Sequence, residues 1–177
     1  MEKRKLILFI ATSLDGYIAT KEENLDWLFE VEGEDDNGFS RFYEKVDTVL
    51  MGRRTFDWVN RETDDYPYQD KSSYVFTRSK GSAHHSAQFI TNHTRSFISN
   101  LKQQDGKAIW LIGGGELLSF CLKENLVDEI IVTVAPKIIG SGIPLFREGV
   151  NQIDLTLHHV DTFNQFVELH YTVDQKA

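Results

Sequence analysis

The sequence contains too few cysteines for disulfide bonds or for a metal site built from thiolates. Cys121 is the only cysteine among 177 residues, so no disulfide can form within the chain. Because Cys121 lies among apolar residues of a predicted helix, we expect it to pack in the core rather than to act as a nucleophile. The fold must therefore be held together by noncovalent packing, and a chain of this length can bury a full core as one domain spanning residues 1–177.

The sequence also lacks any apolar run long enough to cross a membrane. A membrane helix needs about 20 consecutive apolar residues, whereas the run at residues 6–11, which follows a basic segment, is far shorter. The same run is too short for the apolar part of a secretion signal. We therefore expect a cytoplasmic protein with no membrane partner.

Acidic residues outnumber basic residues in the sequence. The chain has 19 Lys and Arg against 27 Asp and Glu, for a net charge of −8, and a nucleic-acid partner would need a basic face. We therefore expect no nucleic acid to bind, although this balance allows a locally basic pocket for a small anion. The adjacent histidine pairs at residues 84–85 and 158–159 do not point the same way on a helix or a strand, so no metal site is predicted.

Short apolar runs alternate with amphipathic helical patterns through the first three quarters of the chain. The runs are continuous, which is typical of strands buried on both faces, whereas the tail alternates between apolar and polar residues, as an antiparallel hairpin would. This order predicts a three-layer α/β fold, with helices flanking a mixed, mostly parallel central sheet and a C-terminal antiparallel hairpin closing its edge. Predicted strands lie at residues 6–11, 48–51, 74–76, 88–90, 109–112, 130–135, 153–160 and 166–173. Predicted helices lie at 39–46 and, with Thr94 as the cap, up to about residue 103, and two more start after residues 52 and 115.

Three consecutive glycines, Gly113, Gly114 and Gly115, join an apolar run to a predicted helix. Glycine lets a backbone approach a ligand closely, and the start of a helix directs free N–H groups towards an anion. A phosphate site and a tight turn without a ligand are both compatible with this stretch. Leu118 stands where the dinucleotide-binding pattern G-x-G-x-x-G would need its third glycine, so a Rossmann domain is not expected.

Two other strand ends combine cations with hydroxyl groups. In an open α/β sheet, ligands bind beyond the carboxyl ends of the strands, and arginine grips phosphate oxygens with paired hydrogen bonds. Each end alone is compatible with a solvated turn, but together with the glycine turn they favour a phosphorylated dinucleotide, NADPH rather than NADH. The residues are Gly52, Arg53, Arg54 and Thr55 at the first end, and Thr77, Arg78, Ser79 and Lys80 at the second.

Four segments carry a family resemblance. They are IATSLDGYIA at residues 10–19, VLMGRRTF at 49–56, IGGG at 112–115 and LVDE at 126–129. In this order the chain resembles dihydrofolate reductase and, more closely, the RibD C-terminal domain, the reductase of riboflavin biosynthesis. The resemblance implies an NADPH-dependent reductase that transfers hydride to a C=N bond of a pteridine- or pyrimidine-like small molecule. The substrate would be similar to 5-amino-6-(5-phosphoribosylamino)uracil or to dihydrofolate, and the protein would form a homodimer.

The same resemblance implies roles for individual residues. Asp36, reached by counting back from Gly52, would be the acid that promotes protonation of the substrate and orients it, with a solvated acidic loop at residues 32–36 as the alternative. Thr133 would flank this acid, and Trp27 matches a tryptophan of a mobile loop that closes over the substrate. Cofactor contacts would be Ala11 and Ile18 at the nicotinamide, Arg53, Arg54, Thr55, Thr77, Arg78 and Ser79 at the adenosine-side phosphates, Gly113, Gly114, Gly115 and Glu116 at the pyrophosphate, and Gly52, Ile112 and Leu117 beside them.

Three functions remain as hypotheses at this point. The first is the NADPH-dependent reductase. The second is a catalytically inactive nucleotide-binding module with the same fold, which the uncertain register of the acid allows. The third, a different enzyme with a phosphorylated ligand, ranks last because the sequence lacks the lysine pattern of a P-loop and a cluster of metal ligands.

Overall fold

An eight-stranded sheet lies at the centre of the computed structural model, which describes residues 3–79 and 84–174. The strands are β1 Leu6–Ser13, β2 Tyr17–Ala19, β3 Val46–Gly52, β4 Ser72–Phe76, β5 Gln88–Ile90, β6 Ala108–Gly113, β7 Glu129–Ala135, β8 Ile143–Pro144, β9 Leu155–Phe163 and β10 Phe166–Val173. The helices are α1 Asp26–Phe29, α2 Phe39–Tyr43, α3 Arg53–Glu62, α4 Thr94–Gln103 and α5 Gly115–Lys123. Within the two described ranges, none of the helices has the length and apolar character needed to cross a bilayer.

Most of the sheet is parallel, in the order β5-β4-β3-β6-β1-β7-β10-β9. Every pairing from β5 to β7 is parallel, whereas β10 runs antiparallel to both of its neighbours. Strands β2 and β8 form a separate two-stranded ribbon. The topology confirms the predicted mixed, mostly parallel sheet with a C-terminal antiparallel hairpin, and it brings the carboxyl ends of six strands to one edge.

Two apolar layers cover the two faces of the sheet. Successive residues of β1 enter different layers, since Leu6 and Leu8 pack in one and Ile7 in the other. Helices α4 and α5 contribute to the first layer through residues such as Ile98 and Leu118, and α2 and α3 contribute to the second. Because both faces are buried, the strands appear as continuous apolar runs, and the predicted three layers are confirmed.

Two helix starts or ends differ from the sequence pattern. Helix α2 covers only Phe39–Tyr43, whereas the apolar spacing predicted a helix continuing to Val46, which instead begins β3 and is fully buried. Over so short a stretch, burial in a strand and burial on a helix give the same spacing. In α4, Thr94 is the first helical residue rather than the cap, and His93 precedes it in the left-handed conformation.

Cys121 packs in the core, as the sequence predicted. It is fully buried on α5, and burial raises the pKa of its thiol to about 12. The thiolate is the nucleophilic form of cysteine, so the buried thiol is nearly inert at neutral pH. Cys121 therefore contributes packing rather than chemistry.

Arg4 is buried at the edge of the sheet where β1 begins. Its Nε donates to the carbonyl oxygen of Lys107 at 2.6 Å, and its Nη2 donates to Thr48 Oγ1 at 2.7 Å. The same guanidinium forms an ion pair with Asp47. Because Lys107 precedes β6 and Thr48 lies in β3, Arg4 joins the amino ends of three adjacent central strands.

Candidate functional site

Two cavities adjoin at the edge of the sheet where the parallel strands end. Ile10, Ala11 and Leu28 line both of them. The first, of about 270 Å³, contains residues 113–115, and we call it the glycine cavity. The second, of about 360 Å³, contains Asp36 and Thr133, and we call it the carboxylate cavity. Each is of a size that holds part of a small ligand.

The floor of the glycine cavity is the turn from β6 into α5. Gly113 has a φ of +131°, a conformation that other residues rarely adopt. The N–H of Gly114 donates to Thr55 Oγ1 at 2.9 Å, and a Cβ added to Gly52 would lie 4.0 Å from the carbonyl oxygen of Gly113. Two of the three strand ends singled out in the sequence therefore meet, and Thr55 ties them together.

Arg147 lies directly over the first residue of α5. A Cβ added to Gly115 would lie 2.6 Å from Arg147 Nε, so the guanidinium occupies space that only glycine leaves open. The early N–H groups of a helix lack partners within the helix and carry partial positive charge. The helix start and Arg147 together place positive charge at the glycine cavity, where they could hold an anion, and sequence reasoning did not identify this arginine.

Long-range contacts bring Arg147 to this position. Strand β8, just before Arg147, pairs with β2, and Tyr17 lies opposite Pro144. The carboxylate of Asp15 accepts hydrogen bonds from Ser13 Oγ at 2.6 Å and from the N–H of Gly140 at 2.8 Å. The hydrogen bond from the Ser13 hydroxyl, followed by those from the backbone N–H groups of Gly140 and Ile139, lowers the pKa of Asp15. The SLDG segment after β1 therefore holds the loop after β7, which leads to Arg147.

The other predicted cations lie along the same edge with different partners. Arg54 lines the glycine cavity and pairs with Glu23 at 2.7 Å. Arg53 instead pairs with Asp57 at 2.8 Å, and its guanidinium lies 5.4 Å from the ring centre of Phe89, outside the cavity lining.

Beyond the cavity, Arg78 at the end of β4 is 93% exposed. It lies 3.5 Å from Glu116, which is also 3.6 Å from Arg147. The hydroxyls of Thr77 and Ser79 are 3.2 Å apart beside it, and Lys80 lies outside the described residues. The second cationic strand end is thus next to the glycine cavity rather than in its wall.

The remaining predicted residues divide between the cavity wall and the core. Ile18 and Ile112 line the glycine cavity. Leu117 is buried in the core below it. Trp27 is buried in a small cluster with Ala135 and Phe166 and lines neither cavity, whereas the adjacent Leu28 lines both.

In the carboxylate cavity, Asp36 is an exposed, ionised group. Its Oδ2 accepts a hydrogen bond from the N–H of Ser40 at 2.8 Å, in the first turn of α2. Hydrogen bonds from the Ser40 side chain, followed by the Ser40 backbone, lower the pKa of Asp36 from its ordinary value. Asp36 is therefore a hydrogen-bond acceptor at neutral pH rather than a ready proton donor.

Thr133 also lines the carboxylate cavity, and a buried carboxylate lies behind it. Thr133 Oγ1 donates to Glu168 Oε2 at 3.0 Å, and Glu168 is only 2% exposed. Ala11, Thr133 and Glu168 lie opposite one another on β1, β7 and β10. Sequence reasoning missed Glu168, because a glutamate in an alternating strand has the pattern of an exposed face.

Comparison with known proteins identifies relatives of this chain. The sequence model of the RibD C-terminal domain matches residues 4–169. The chain is 49% identical over 170 residues to YwjB, an uncharacterized protein of Bacillus subtilis (strain 168), and the match covers 96% of this chain and 98% of YwjB.

Two solved structures share the fold. The "Putative riboflavin biosynthesis protein" of Shewanella sp. PV-4 has a TM-score of 0.87 and 31% sequence identity, covering 97% of this chain and 99% of that chain. Dihydrofolate reductase from Enterococcus faecalis, in complex with NADP(H) and RAB-propyl, has a TM-score of 0.65 and 13% identity, covering 97% of each chain. The second likeness shows the fold alone, and it confirms the predicted dihydrofolate reductase-like architecture.

Proposed function

Because the chain belongs to the RibD C-terminal domain family, we propose that it is an NADPH-dependent reductase of a pteridine- or pyrimidine-like small molecule. The observation that carries this proposal is the meeting of Arg147, the start of α5 and the Thr55 hydroxyl in one cavity. These groups are what a pyrophosphate needs. The adjoining carboxylate cavity leaves room for a second small molecule.

In this proposal, the first turn of α5 and the neighbouring Arg147 would hold the pyrophosphate. Ala11 and Ile18, near the point where the two cavities meet, would contact the nicotinamide. The packing of Arg147 against Gly115, where an added Cβ would lie 2.6 Å from Arg147 Nε, supports an anion cradle rather than a bare turn. When bound, NADPH supplies the hydride, and the protein aligns the cofactor with the substrate and excludes water.

The extra phosphate of NADPH would lie further along the edge, at the end of β4. Arg78 is almost fully exposed, and its contact with Glu116 is a surface ion pair, which is weak in water. Its guanidinium is therefore available to a phosphate, with Arg54 closer to the pyrophosphate. Arg53 is held by Asp57 and would have to break this pair to contribute.

The substrate heterocycle would lie in the carboxylate cavity, between Asp36 and Thr133. An ionised Asp36 accepts a hydrogen bond from a ring N–H or an exocyclic amino group, which fixes the orientation of the ring. Thr133 already donates to Glu168, so its oxygen can accept a further hydrogen bond from the substrate. Both groups would orient the heterocycle with its C=N bond facing the nicotinamide, so that the carbon would accept the hydride and the nitrogen would take a proton from a water molecule.

We expect the titration of Asp36 to leave kcat/KM of the wild-type protein constant at pH values near neutrality. The ordinary carboxyl value is 3.8, and hydrogen bonds lower the pKa of Asp36 below it, so Asp36 stays ionised at pH 5–9. Protonation would weaken substrate binding only as the pH falls below that value. The test is to measure kcat/KM as a function of pH for the wild-type protein and for Asp36→Asn. If kcat/KM of the wild type falls below pH 6–7 and this fall is absent in Asp36→Asn, the prediction is contradicted.

A catalytically inactive nucleotide-binding module is the second candidate. The exposure of Asp36 and the hydrogen bond that it accepts from Ser40 favour it, because the Asp36 carboxylate already has a partner within the protein. NADPH oxidation should be measured in separate reactions with dihydrofolate and with 5-amino-6-(5-phosphoribosylamino)uracil as the substrate. Steady turnover that is lost in Asp36→Asn supports the reductase, whereas NADPH binding without turnover of either substrate supports the inactive module.

We also propose that the protein forms a homodimer through the edge strand β9. This strand is the last of the sheet and exposes apolar side chains in a row, including Leu157 at 52% and Val160 at 45% exposure. Such patches on an edge strand favour association. We propose that the protein is located in the cytoplasm.

Replacement of Leu157 by lysine should convert the dimer to a monomer. A charge in the middle of the apolar row would have to be buried without a partner, which opposes association. Light scattering after size-exclusion chromatography measures the mass, with Asn100→Lys on the exposed side of α4 as the control. A monomeric wild-type protein, or a Leu157→Lys variant that still forms dimers, would exclude this interface.

A further inference from the structure

Four potential metal ligands share one patch of the hairpin β9–β10, although the sequence predicted no metal site. The geometry points to a binding site for a divalent transition-metal ion, of which Zn²⁺ is the best fit. Its ligands are Asp161, Glu168 and His170, with His159 as the fourth. The sequence-based prediction considered only histidines adjacent in the chain, whereas the fold places His159 opposite His170.

Strand pairing creates the patch. Glu168 lies opposite Asp161, and His170 lies opposite His159, across the antiparallel pair. Side chains two residues apart on a strand point to the same face, and directly opposite side chains on that face are neighbours. The four side chains therefore form two adjacent cross-strand pairs, next to a β-bulge between His170 and Tyr171.

The distances match the space that a metal ion needs. Ligand atoms of Asp161, Glu168 and His170 all lie within 4.8 Å of one another. His170 Nε2 is 2.6 Å from Glu168 Oε1 and 4.0 Å from Asp161 Oδ2. Metal–ligand bonds of about 2.1 Å place tetrahedral ligand atoms about 3.4 Å apart, which lies between these two distances. Small side-chain rotations therefore complete the geometry.

His159 supplies the fourth side and the entry path. Its Nε2 is 2.9 Å from Asp161 Oδ1, and its ring centre is 5.5 Å from that of His170. The side chain is 59% exposed. The site is thus closed by Glu168 on the inside and open at His159 on the outside, as an ion arriving from solvent requires.

Glu168 brings a buried carboxylate to the patch, where the imidazole of His170 is its present partner. Its side chain is 2% exposed, and an ionised carboxylate is costly to bury unless it is paired with a cation or coordinates a metal. The described contacts of Glu168 are the Thr133 hydroxyl and the imidazole of His170. The Thr133 bond holds Oε2, which leaves Oε1 directed at the patch, as an outer hydrogen bond orients a metal ligand.

The ligand chemistry selects the ion. Two imidazoles with two carboxylates suit zinc and its neighbours, whereas magnesium and calcium prefer oxygen ligands alone. Arg41 competes for the site, since its Nη2 is 2.8 Å from Asp161 Oδ2. Its side chain is more than half exposed, so it can turn into solvent when an ion binds.

The ion would also act on the carboxylate cavity. Glu168 would be fixed by the metal on one oxygen and would hold the Thr133 hydroxyl with the other. Thr133 lines the cavity, so metal binding would order one wall of it. The same ion would cross-link β9 and β10 and raise the unfolding temperature of the protein. The site does not depend on the proposed reductase activity.

The test is calorimetric titration of the EDTA-treated, full-length protein with ZnCl₂, supported by the visible absorption of the Co²⁺ form. One ion per chain should bind with a micromolar Kd. His170→Ala and His159→Ala should each weaken binding on the order of tenfold or more, and Arg41→Ala should tighten it. His158→Ala is the matched control, because it removes the neighbouring imidazole outside the ligand set, and it should bind as wild type does.

Two results would overturn the site. One is wild-type binding that is no tighter than that of His159→Ala, or that involves several weakly held ions per chain. The other is an equal loss of binding in His158→Ala. Circular dichroism shows whether each variant is folded, and if His170→Ala is not, the exposed His159 carries the test with His158 as its control.

Discussion

Arg147→Glu is expected to weaken NADPH binding by roughly a hundredfold. The guanidinium lies over the first residue of α5, where the proposed pyrophosphate would accept its hydrogen bonds. A hydrogen bond to a charged group contributes about 1.5–3 kcal/mol, which corresponds to about ten- to a hundredfold in Kd. A carboxylate in its place adds repulsion, so the effect lies at the upper end. The Kd is measured by calorimetric titration with NADPH.

Two further variants make this test specific. Arg95→Glu reverses a charge on α4, where Arg95 pairs with Glu124 on the surface, and it should leave NADPH affinity unchanged. Gly115→Ala should weaken binding without a change of charge, because the added Cβ would lie 2.6 Å from Arg147 Nε and displace the guanidinium. Unchanged affinity in Arg147→Glu would place the pyrophosphate elsewhere.

Arg4→Ala is expected to lower the free energy of unfolding by about 3 kcal/mol. The substitution removes hydrogen bonds to Thr48 and to the carbonyl oxygen of Lys107 and leaves Asp47 without its guanidinium partner. Removal of one partner of a buried pair costs about 3–5 kcal/mol, and the partial exposure of Asp47 puts this case at the lower end.

Guanidinium denaturation followed by circular dichroism measures the loss in Arg4→Ala. Arg95→Ala is the matched control, because it breaks a surface ion pair, and such pairs contribute about 0–1 kcal/mol. If the two variants lose the same small amount of stability, the buried Arg4 network does not hold the ends of the central strands together.

The fold was predictable from the sequence because its signals are local. The continuous run in β1 shows burial on both faces, and the alternation at residues 153–160 and 166–173 predicted the hairpin that β9 and β10 form. The glycines after β6 mark the turn into α5. The patterns of β1 and β10 follow from the period of their own elements, and the order of elements then restricts the architecture.

The decisive groups of the site were not predictable, because distant pairings place them. Arg147 reaches the glycine cavity through the pairing of β8 with β2. Glu168 reaches the core through its register with Thr133, and Arg4, from the basic segment before β1, is buried through contacts with Thr48 and Lys107. In all three, a polar residue is buried or positioned by a partner far away in sequence, which no local pattern records.

Family resemblance supplied some residues that geometry alone would not single out. Ala11, Ile18 and Thr133 line the two cavities as the resemblance implied, and their roles stay proposals. Trp27 lies in a buried cluster rather than at a cavity wall, so its assignment to the substrate stays a prediction. Asp36 lines the carboxylate cavity but accepts a hydrogen bond from Ser40 of α2, a detail that counting along the sequence cannot give.

Titration of the purified wild-type protein with NADPH tests the central claim most directly. Trp58 lines the glycine cavity, so its fluorescence should be quenched as the cofactor binds. We expect saturation at one NADPH per chain with a micromolar or lower Kd, together with a higher unfolding temperature. The absence of any thermal shift at millimolar NADPH, with no quenching, would contradict the account.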